Sequence, residues 1–164
     1  MKKLNLSGNE AVAQAALSAG VKLITGYPGT PSSEVIDSLW GRAPAGVTVE
    51  WSVNEKVALD EAGACAWAGQ RALCTMKRSG LNGAYDSLIS FVYSGCSGGL
   101  VVYVCDDPGV ESGMPEQDVR GFAQMSDMPV LAPASVAARY WLTKYAFERS
   151  EKIGGPVLVR SGTK

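Results

Sequence analysis

The sequence predicts an α/β domain, a three-layer doubly wound parallel sheet, on three observations. Apolar runs of strand length alternate with helical patterns along the whole chain. Those runs read as apolar on both faces, as strands do when helices cover a parallel sheet on each side. The 164 residues suit one sizeable core without disulfides or a structural metal, and a second independent core is not expected.

The elements follow in order. Apolar spacing from Glu10 to Ala19, closed by Gly20, predicts an amphipathic helix, and Lys22–Thr25 a first strand. The turn Gly26-Tyr27-Pro28-Gly29-Thr30-Pro31 comes next, with Thr30 a candidate helix N-cap, Pro31 at the first helical position and Ser32-Ser33-Glu34 as the polar first turn. Strand Val47–Trp51 leads to a second candidate N-cap, Asn54, and a helix from Glu55 to Ala68 that ends near Gly69. Strand Ala72–Met76, a turn through Ser79-Gly80-Leu81-Asn82 and a helix over Ala84–Tyr93 follow, and Gly98-Gly99 precede the strand Leu100–Cys105. Asp106 through Glu116 is polar and bears Gly and Pro. A short helix over Gln117–Gln124, strand Val130-Leu131, helix Val136–Glu148 and strand Val157–Val159 complete the alternation. There is no internal repeat, low-complexity tract or linker.

Acidic and basic side chains nearly cancel, 16 against 15, which leaves no electrostatic footprint for nucleic acid or an anionic membrane. No apolar stretch approaches a membrane span, and the Met1-Lys2-Lys3 start lacks the apolar run of a secretory signal, so a cytoplasmic protein is the expectation. Cys65, Cys74, Cys96 and Cys105 lack the tight spacings of zinc or iron–sulfur ligands and read as reduced core residues. Histidine is absent, which excludes His triads, His metal sites and His general bases within the chain. Acid–base work falls to carboxylates, Lys, Tyr or a cofactor.

Ligands on open parallel sheets bind beyond the carboxyl ends of the strands, so functional weight falls on the loops at 26–31, 52–55, 77–82 and 106–118, expected to share one edge. No Rossmann fingerprint or Walker A sequence occurs, and Gly26 and Gly29 by themselves need only permit a tight turn. Glu55 opens a helix directly after a strand: a first-turn helix charge or a catalytic carboxyl. Thr30 is a cap, a ligand or both. Asp60 and Glu61 read as solvated, and Lys77-Arg78 as surface cations with an anionic substrate as the alternative. Asp106-Asp107 with Glu116 and Asp118 read as solvated loop acids rather than a metal site. Trp40, Trp51, Trp67 and Trp141 read as core or interface fillers.

Taken together, Gly26-Tyr-Pro-Gly-Thr-Pro-Ser-Ser-Glu34, Trp51-Ser-Val-Asn-Glu-Lys-Val-Ala58, Met76-Lys-Arg-Ser-Gly-Leu-Asn82, Asp106-Asp-Pro-Gly109 and Glu116-Gln-Asp118 form an ordered set. Over residues 8 to 162 it resembles the N-terminal pyrimidine-binding domain of the thiamine-diphosphate-dependent 2-oxoacid:ferredoxin oxidoreductases, and within that family the large subunit of the indolepyruvate enzymes. The resemblance implies that Glu55 contacts N1′ of the cofactor's aminopyrimidine. A charge-assisted bond there favours the imino tautomer, whose N4′ removes the C2 proton. It implies that Tyr27, Pro28, Gly29 and Thr30 border the thiazolium and the substrate's reacting end, with the Thr30 hydroxyl donating. Ser79, Gly80 and Asn82 are implied on the pyrimidine side. Arg78 stands where the family carries His, and is implied in substrate preference. The implied reaction is oxidative decarboxylation of a 2-oxoacid to an acyl-CoA, with electrons passing through iron–sulfur clusters to ferredoxin.

The family's large subunit is several times longer. Its diphosphate and magnesium motif and its cysteine-rich region do not occur here, so Mg2+ and clusters are expected on other chains or domains, with a diphosphate-binding partner and a homo- or hetero-oligomer. The chain is then a naturally split subunit or a fragment, inactive alone. Alternatives are a split 2-oxoacid decarboxylase and a non-catalytic assembly or regulatory domain.

Overall fold

A computed structural model of the chain describes residues 5–109 and 116–162. In chain order the elements are α1 (Gly8–Ser18), β1 (Leu23–Gly26), α2 (Glu34–Asp37), β2 (Thr48–Trp51), α3 (Glu55–Trp67), β3 (Ala72–Lys77), α4 (Gly80–Ser94), β4 (Leu100–Cys105), α5 (Arg120–Ser126), β5 (Val130–Leu131), α6 (Val136–Ile153) and β6 (Val157–Ser161). The strands form one sheet in the order β2-β1-β3-β4-β6-β5, every pairing parallel.

Alternation along each strand divides the core in two. Cys74, Met76, Val102, Val104 and Leu158 face α3, α4 and α5. Ile24, Leu73, Val101, Tyr103, Val157 and Val159 face α1, α2 and α6. The central strands β3 and β4 are buried almost throughout, as expected of parallel strands covered on both sides. This is the three-layer arrangement that the alternating pattern predicts.

Local chemistry explains both the matches and the departures. Ser7 and Glu10 form a reciprocal capping box at the start of α1. Asn54 caps α3 as predicted, its side chain accepting from the Val57 amide at 2.9 Å. Helix α4 begins at Gly80, earlier than predicted, because the buried stripe Leu81, Ala84, Leu88, Phe91 carries helical spacing back through the expected turn. Helix α6 runs to Ile153, beyond the expected end at Glu148. Ser150, fully buried, accepts from the Leu100 amide and donates to the Gly155 carbonyl, holding the extra turn against β4. Helix α5 starts at Arg120 rather than Gln117, since the Gln117 and Asp118 side chains are drawn into contacts with Asn82 and Arg120. No helix among the described residues is long and apolar enough to cross a membrane.

Connections after neighbouring strands leave on opposite faces. From β1 the chain passes to α2 in one layer, and from β3 to α4 in the other. Adjacent strands whose connections diverge in this way open a crevice at their carboxyl ends, which is where such sheets hold ligands. At that point β1 and β3 approach closely: a Cβ on Gly26 would lie 2.7 Å from the Thr75 carbonyl oxygen and 2.9 Å from Ile36 Cδ1, so only glycine fits.

Candidate functional site

Glu55 is carried to the crevice by the three-residue turn Ser52-Val53-Asn54 between β2 and α3. The Ser52 amide donates to the Gly26 carbonyl at 2.8 Å, extending the β1–β2 ladder by one residue, and Asn54 closes the turn by capping α3. The half-buried Glu55 carboxyl lies against the first residue of α4. A Cβ on Gly80 would fall 2.4 Å from both Glu55 Cγ and Oε1, so the glycine leaves the space that the carboxyl fills. Next along α3, Lys56 binds α4 through Asp86 at 2.7 Å and Ser87 at 2.8 Å, fixing the two helix starts relative to each other.

Facing them is the turn after β1. Gly29 packs on the next strand, where an added Cβ would sit 3.1 Å from Lys77 Cβ. Tyr27, Pro28 and Thr30 are exposed. Thr30 is not the predicted N-cap, and Pro31 is not a first helical residue. Residues 29–33 form a turn closed on itself: Ser32 donates through its amide and hydroxyl to the Gly29 carbonyl, and the Gly29 amide donates to Ser33 Oγ. The Thr30–Pro31 peptide is cis, and α2 begins only at Glu34, without a side-chain cap. Asn9, in the first turn of α1, braces the turn from below. Its amide donates to the Pro31 carbonyl and to Glu34, and it accepts from the Tyr103 hydroxyl at 2.9 Å.

Beyond β3 the character of the edge changes. Arg78 is fully enclosed rather than a surface cation, with its guanidinium 3.4 Å from the equally enclosed Asp107 carboxylate. Asp106, also buried, is bound by Arg160 from β6. The expectation of solvated acids at 106 and 107 is therefore corrected: buried carboxylates need cationic partners, and the residue after β3 and a residue of β6 supply them. Burial pushes the Asp106 carboxyl up from its ordinary value, against the opposing pull of Arg160. Asp118 is held down to about 2 by hydrogen bonds from the Arg120 side chain and backbone. Asn82 and Gln117 exchange amide hydrogen bonds, tying the exposed start of α4 to the chain before α5. Residues 110–115, which complete the 106–118 loop, lie outside the described residues.

The predicted positions thus meet at one edge in two groups: Glu55, Ser79, Gly80 and Asn82 around the start of α4, and Tyr27 to Thr30 across the crevice. Arg78 stays beneath them. Sequence reasoning missed Asn9, Arg160 and the pairing of Asp107, whose significance lies entirely in partners distant along the chain. It also misplaced Glu61. Asp60 is exposed as expected, but half-buried Glu61 accepts a short hydrogen bond from Ser52 Oγ. Trp40, Trp67 and Trp141 are exposed rather than core residues, while Trp51 packs partly on the α1/α2/α6 side. All four cysteines are free; burial pushes Cys74 and Cys105 up to about 12. Among the described residues no three acidic or cysteine side chains are grouped to hold a metal ion. A wide concavity of about 860 Å³ between α1 and α6 contains none of the predicted site residues, so size alone does not locate the chemistry.

No family model matches the chain. Over 164 residues it is 46% identical to indolepyruvate oxidoreductase subunit IorA of Pyrococcus abyssi, covering 99% of this chain and 25% of that protein. The IorA subunit of Archaeoglobus fulgidus is 42% identical, with 99% and 27% covered. The 2-oxoglutarate synthase subunit KorA of A. fulgidus is more distant, 29% identical over 95% of this chain and 47% of that protein. The chain therefore spans about a quarter of the length of the IorA relatives it matches. Among solved structures it superposes with a TM-score of 0.84 on the 2-oxoglutarate:ferredoxin oxidoreductase of Magnetococcus marinus, 23% identical, over 96% of this chain and 29% of that one. A thiamine diphosphate-dependent 4-hydroxybenzoylformate decarboxylase of Rhodococcus jostii superposes at 0.76, with 18% identity over 96% and 30%. The fold is shared with both enzymes.

Proposed function

We propose that this chain is the pyrimidine-binding part of a thiamine-diphosphate-dependent 2-oxoacid:ferredoxin oxidoreductase of the indolepyruvate type, acting on an arylpyruvate-like substrate to give an acyl-CoA. A diphosphate-binding domain or subunit completes it, Mg2+ and iron–sulfur clusters reside outside this chain, and ferredoxin accepts the electrons. The assembly is a cytoplasmic homo- or hetero-oligomer. One observation carries the reading: a carboxyl at the opening of α3 occupies the space that Gly80 leaves by lacking a Cβ, at the diverging connections of β1 and β3. The residues fit the cofactor. A half-exposed carboxyl suits hydrogen bonding to a ring nitrogen, and the exposed Tyr27–Thr30 turn faces a crevice that a partner surface would close.

Thiamine diphosphate supplies the carbon nucleophile and electron sink that decarboxylation of a 2-oxoacid needs. The chain's own residues bind, orient and exclude water. Glu55 holds a proton against N1′ of the aminopyrimidine, the role that makes it catalytic. Ser79, Gly80 and Asn82 wall the pyrimidine side. Tyr27, Pro28 and Gly29 border the reacting end, with the Thr30 hydroxyl as a donor. Arg78, enclosed against Asp107, bears on substrate preference only by holding the edge beneath the site. No metal is assigned to the chain.

The test uses the native assembly that contains this chain, supplied with thiamine diphosphate, Mg2+, coenzyme A and indolepyruvate. Ferredoxin reduction is expected, and Glu55→Gln should lower kcat by at least about 100-fold, the scale of a lost proton-transfer partner. Aldehyde release without ferredoxin reduction would replace the proposal with a decarboxylase. Stable assembly with no turnover of any 2-oxoacid would replace it with an assembly or regulatory role.

A further inference from the structure

The position of Glu55 is set by a turn with almost nothing packed over it. Val53 is 78% exposed and Asn54 is exposed, so the geometry of the turn is decided at its two ends. Asn54 secures the helical end by capping α3. Ser52 secures the strand end twice, through its amide to Gly26 in β1 and through its hydroxyl to the Glu61 carboxylate. Glu61 lies in the second turn of α3, and side chains on a helix lean towards its N-terminus, so its carboxyl reaches back along α3 to the residue where β2 ends. The contact is part-buried, a hydroxyl donating to a carboxyl oxygen nine residues along the chain. Ser52 stands three residues before Glu55 in the chain.

We infer that Glu61 is a positioning residue, clasping Ser52 so that the β2–α3 turn delivers the Glu55 carboxyl to its place over Gly80. The inference rests on the proposed role of Glu55 towards the aminopyrimidine. Glu61 touches neither cofactor nor substrate. Its effect is geometric: a catalytic group displaced by about 1 Å loses up to about 100-fold in rate. Removing the clasp leaves the strand end of the turn held only by the Ser52 amide bond to Gly26, with the Asn54 cap and the α3–α4 contacts of Lys56 in place.

The test compares Glu61→Ala, Ser52→Ala, their double variant and Glu61→Gln in the native assembly. Two readouts are taken without turnover: the dissociation constant for thiamine diphosphate with Mg2+, and deuterium uptake of the cofactor-free protein over residues 50–57. Glu61→Ala and Ser52→Ala should each weaken cofactor binding by about tenfold, a fraction of the full misplacement penalty. Each should also raise uptake over 50–57 while leaving residues 84–94 of α4 unchanged. The double variant should be no worse than either single one, because both remove the same bond. Glu61→Gln keeps an acceptor oxygen and should restore both readouts. Unchanged uptake over 50–57, additive losses, or Glu61→Gln behaving like Glu61→Ala would each overturn the inference. If Glu55→Gln weakens cofactor binding and Glu61→Ala does not, only this inference falls. If Glu55→Gln reduces ferredoxin as fast as the native protein does, the proposed function falls and takes the inference with it.

Discussion

Two ends of the same sheet edge are built by different means. After β1, β2 and β3 the chain uses close glycine contacts around one half-exposed carboxyl: Gly26 against Thr75, Gly29 against Lys77, Gly80 against Glu55. After β4 it uses buried carboxylates, Asp107 with the enclosed Arg78 just past β3 and Asp106 with the part-exposed Arg160 of β6. The first construction leaves the Glu55 carboxyl open to a ligand, and at Gly80 the nearest atoms are side-chain atoms of Glu55 rather than backbone. The second neutralises its carboxylates internally and costs much to disturb, because a buried charge that loses its partner has no water to replace it. Under the proposed function, stability and chemistry are separated along one edge, and substitutions at the two ends should fail in different ways.

The largest effect is expected at the charged end. Arg78→Met leaves Asp107 enclosed without its guanidinium and should destabilise the fold by about 3–5 kcal/mol, read as the midpoint of chemical denaturation. Replacing both residues, Arg78→Met with Asp107→Leu, should recover most of that loss, since apolar groups of similar volume often serve as well as a buried ion pair. A single Arg78→Met variant with native stability would remove the distinction between the two ends.

At the glycine end the opposite pattern is expected. In Gly80→Ala the atoms nearest the new Cβ belong to the Glu55 side chain, at 2.4 Å from Cγ and Oε1, so that side chain is expected to swing aside. Alanine is the better helix former by about 1 kcal/mol, so thermal stability should hold or rise slightly. Cofactor-dependent turnover should nevertheless fall by about tenfold or more, because the carboxyl no longer sits where the site needs it. A Gly80→Ala protein that is fully active would show that the contact with Glu55 carries no function.

This contrast also explains what the sequence made legible. The alternation of elements, the Asn54 cap and the shared edge were readable because each rests on local pattern or on a rule for parallel sheets. The turn at 29–33 was not, since Thr30-Pro31-Ser32 satisfies the local rule for a helix start while Ser32 and Ser33 satisfy Gly29 instead. The charged end was unreadable for a different reason. Adjacent acids in a loop and a Lys-Arg pair look solvated unless the strand order β3-β4-β6 is known, and only that order sets Arg78 and Arg160 on either side of Asp106-Asp107. Glu61 was misread because its partner Ser52 lies nine residues back, beyond helical spacing. The motif order singled out Glu55 for the proposed site, but the contact of its side chain with Gly80 lies between helices and leaves no mark on local pattern.

The smallest expected effect separates two acids within the charged end itself. Asp118 is held near 2, below its ordinary 3.8, by Arg120, so its charged form is favoured in the folded chain. Its contribution is complete above the ordinary value and is lost as pH falls towards 2. Asp106 runs the other way: burial raises it, so the folded chain takes up that proton more readily than the unfolded chain does, and acidification through this range relieves a cost. In Asp118→Asn the stabilising titration disappears and the opposing one remains. The thermal midpoint of the variant should therefore fall less steeply between about pH 4 and pH 2 than that of the native chain. The difference should shrink at high salt, because Asp118 and Arg120 are both largely exposed and screened. Identical slopes for the two proteins at low salt would mean that the Asp118–Arg120 pair is electrostatically idle, leaving this end of the edge to its buried acids, Asp106 and Asp107.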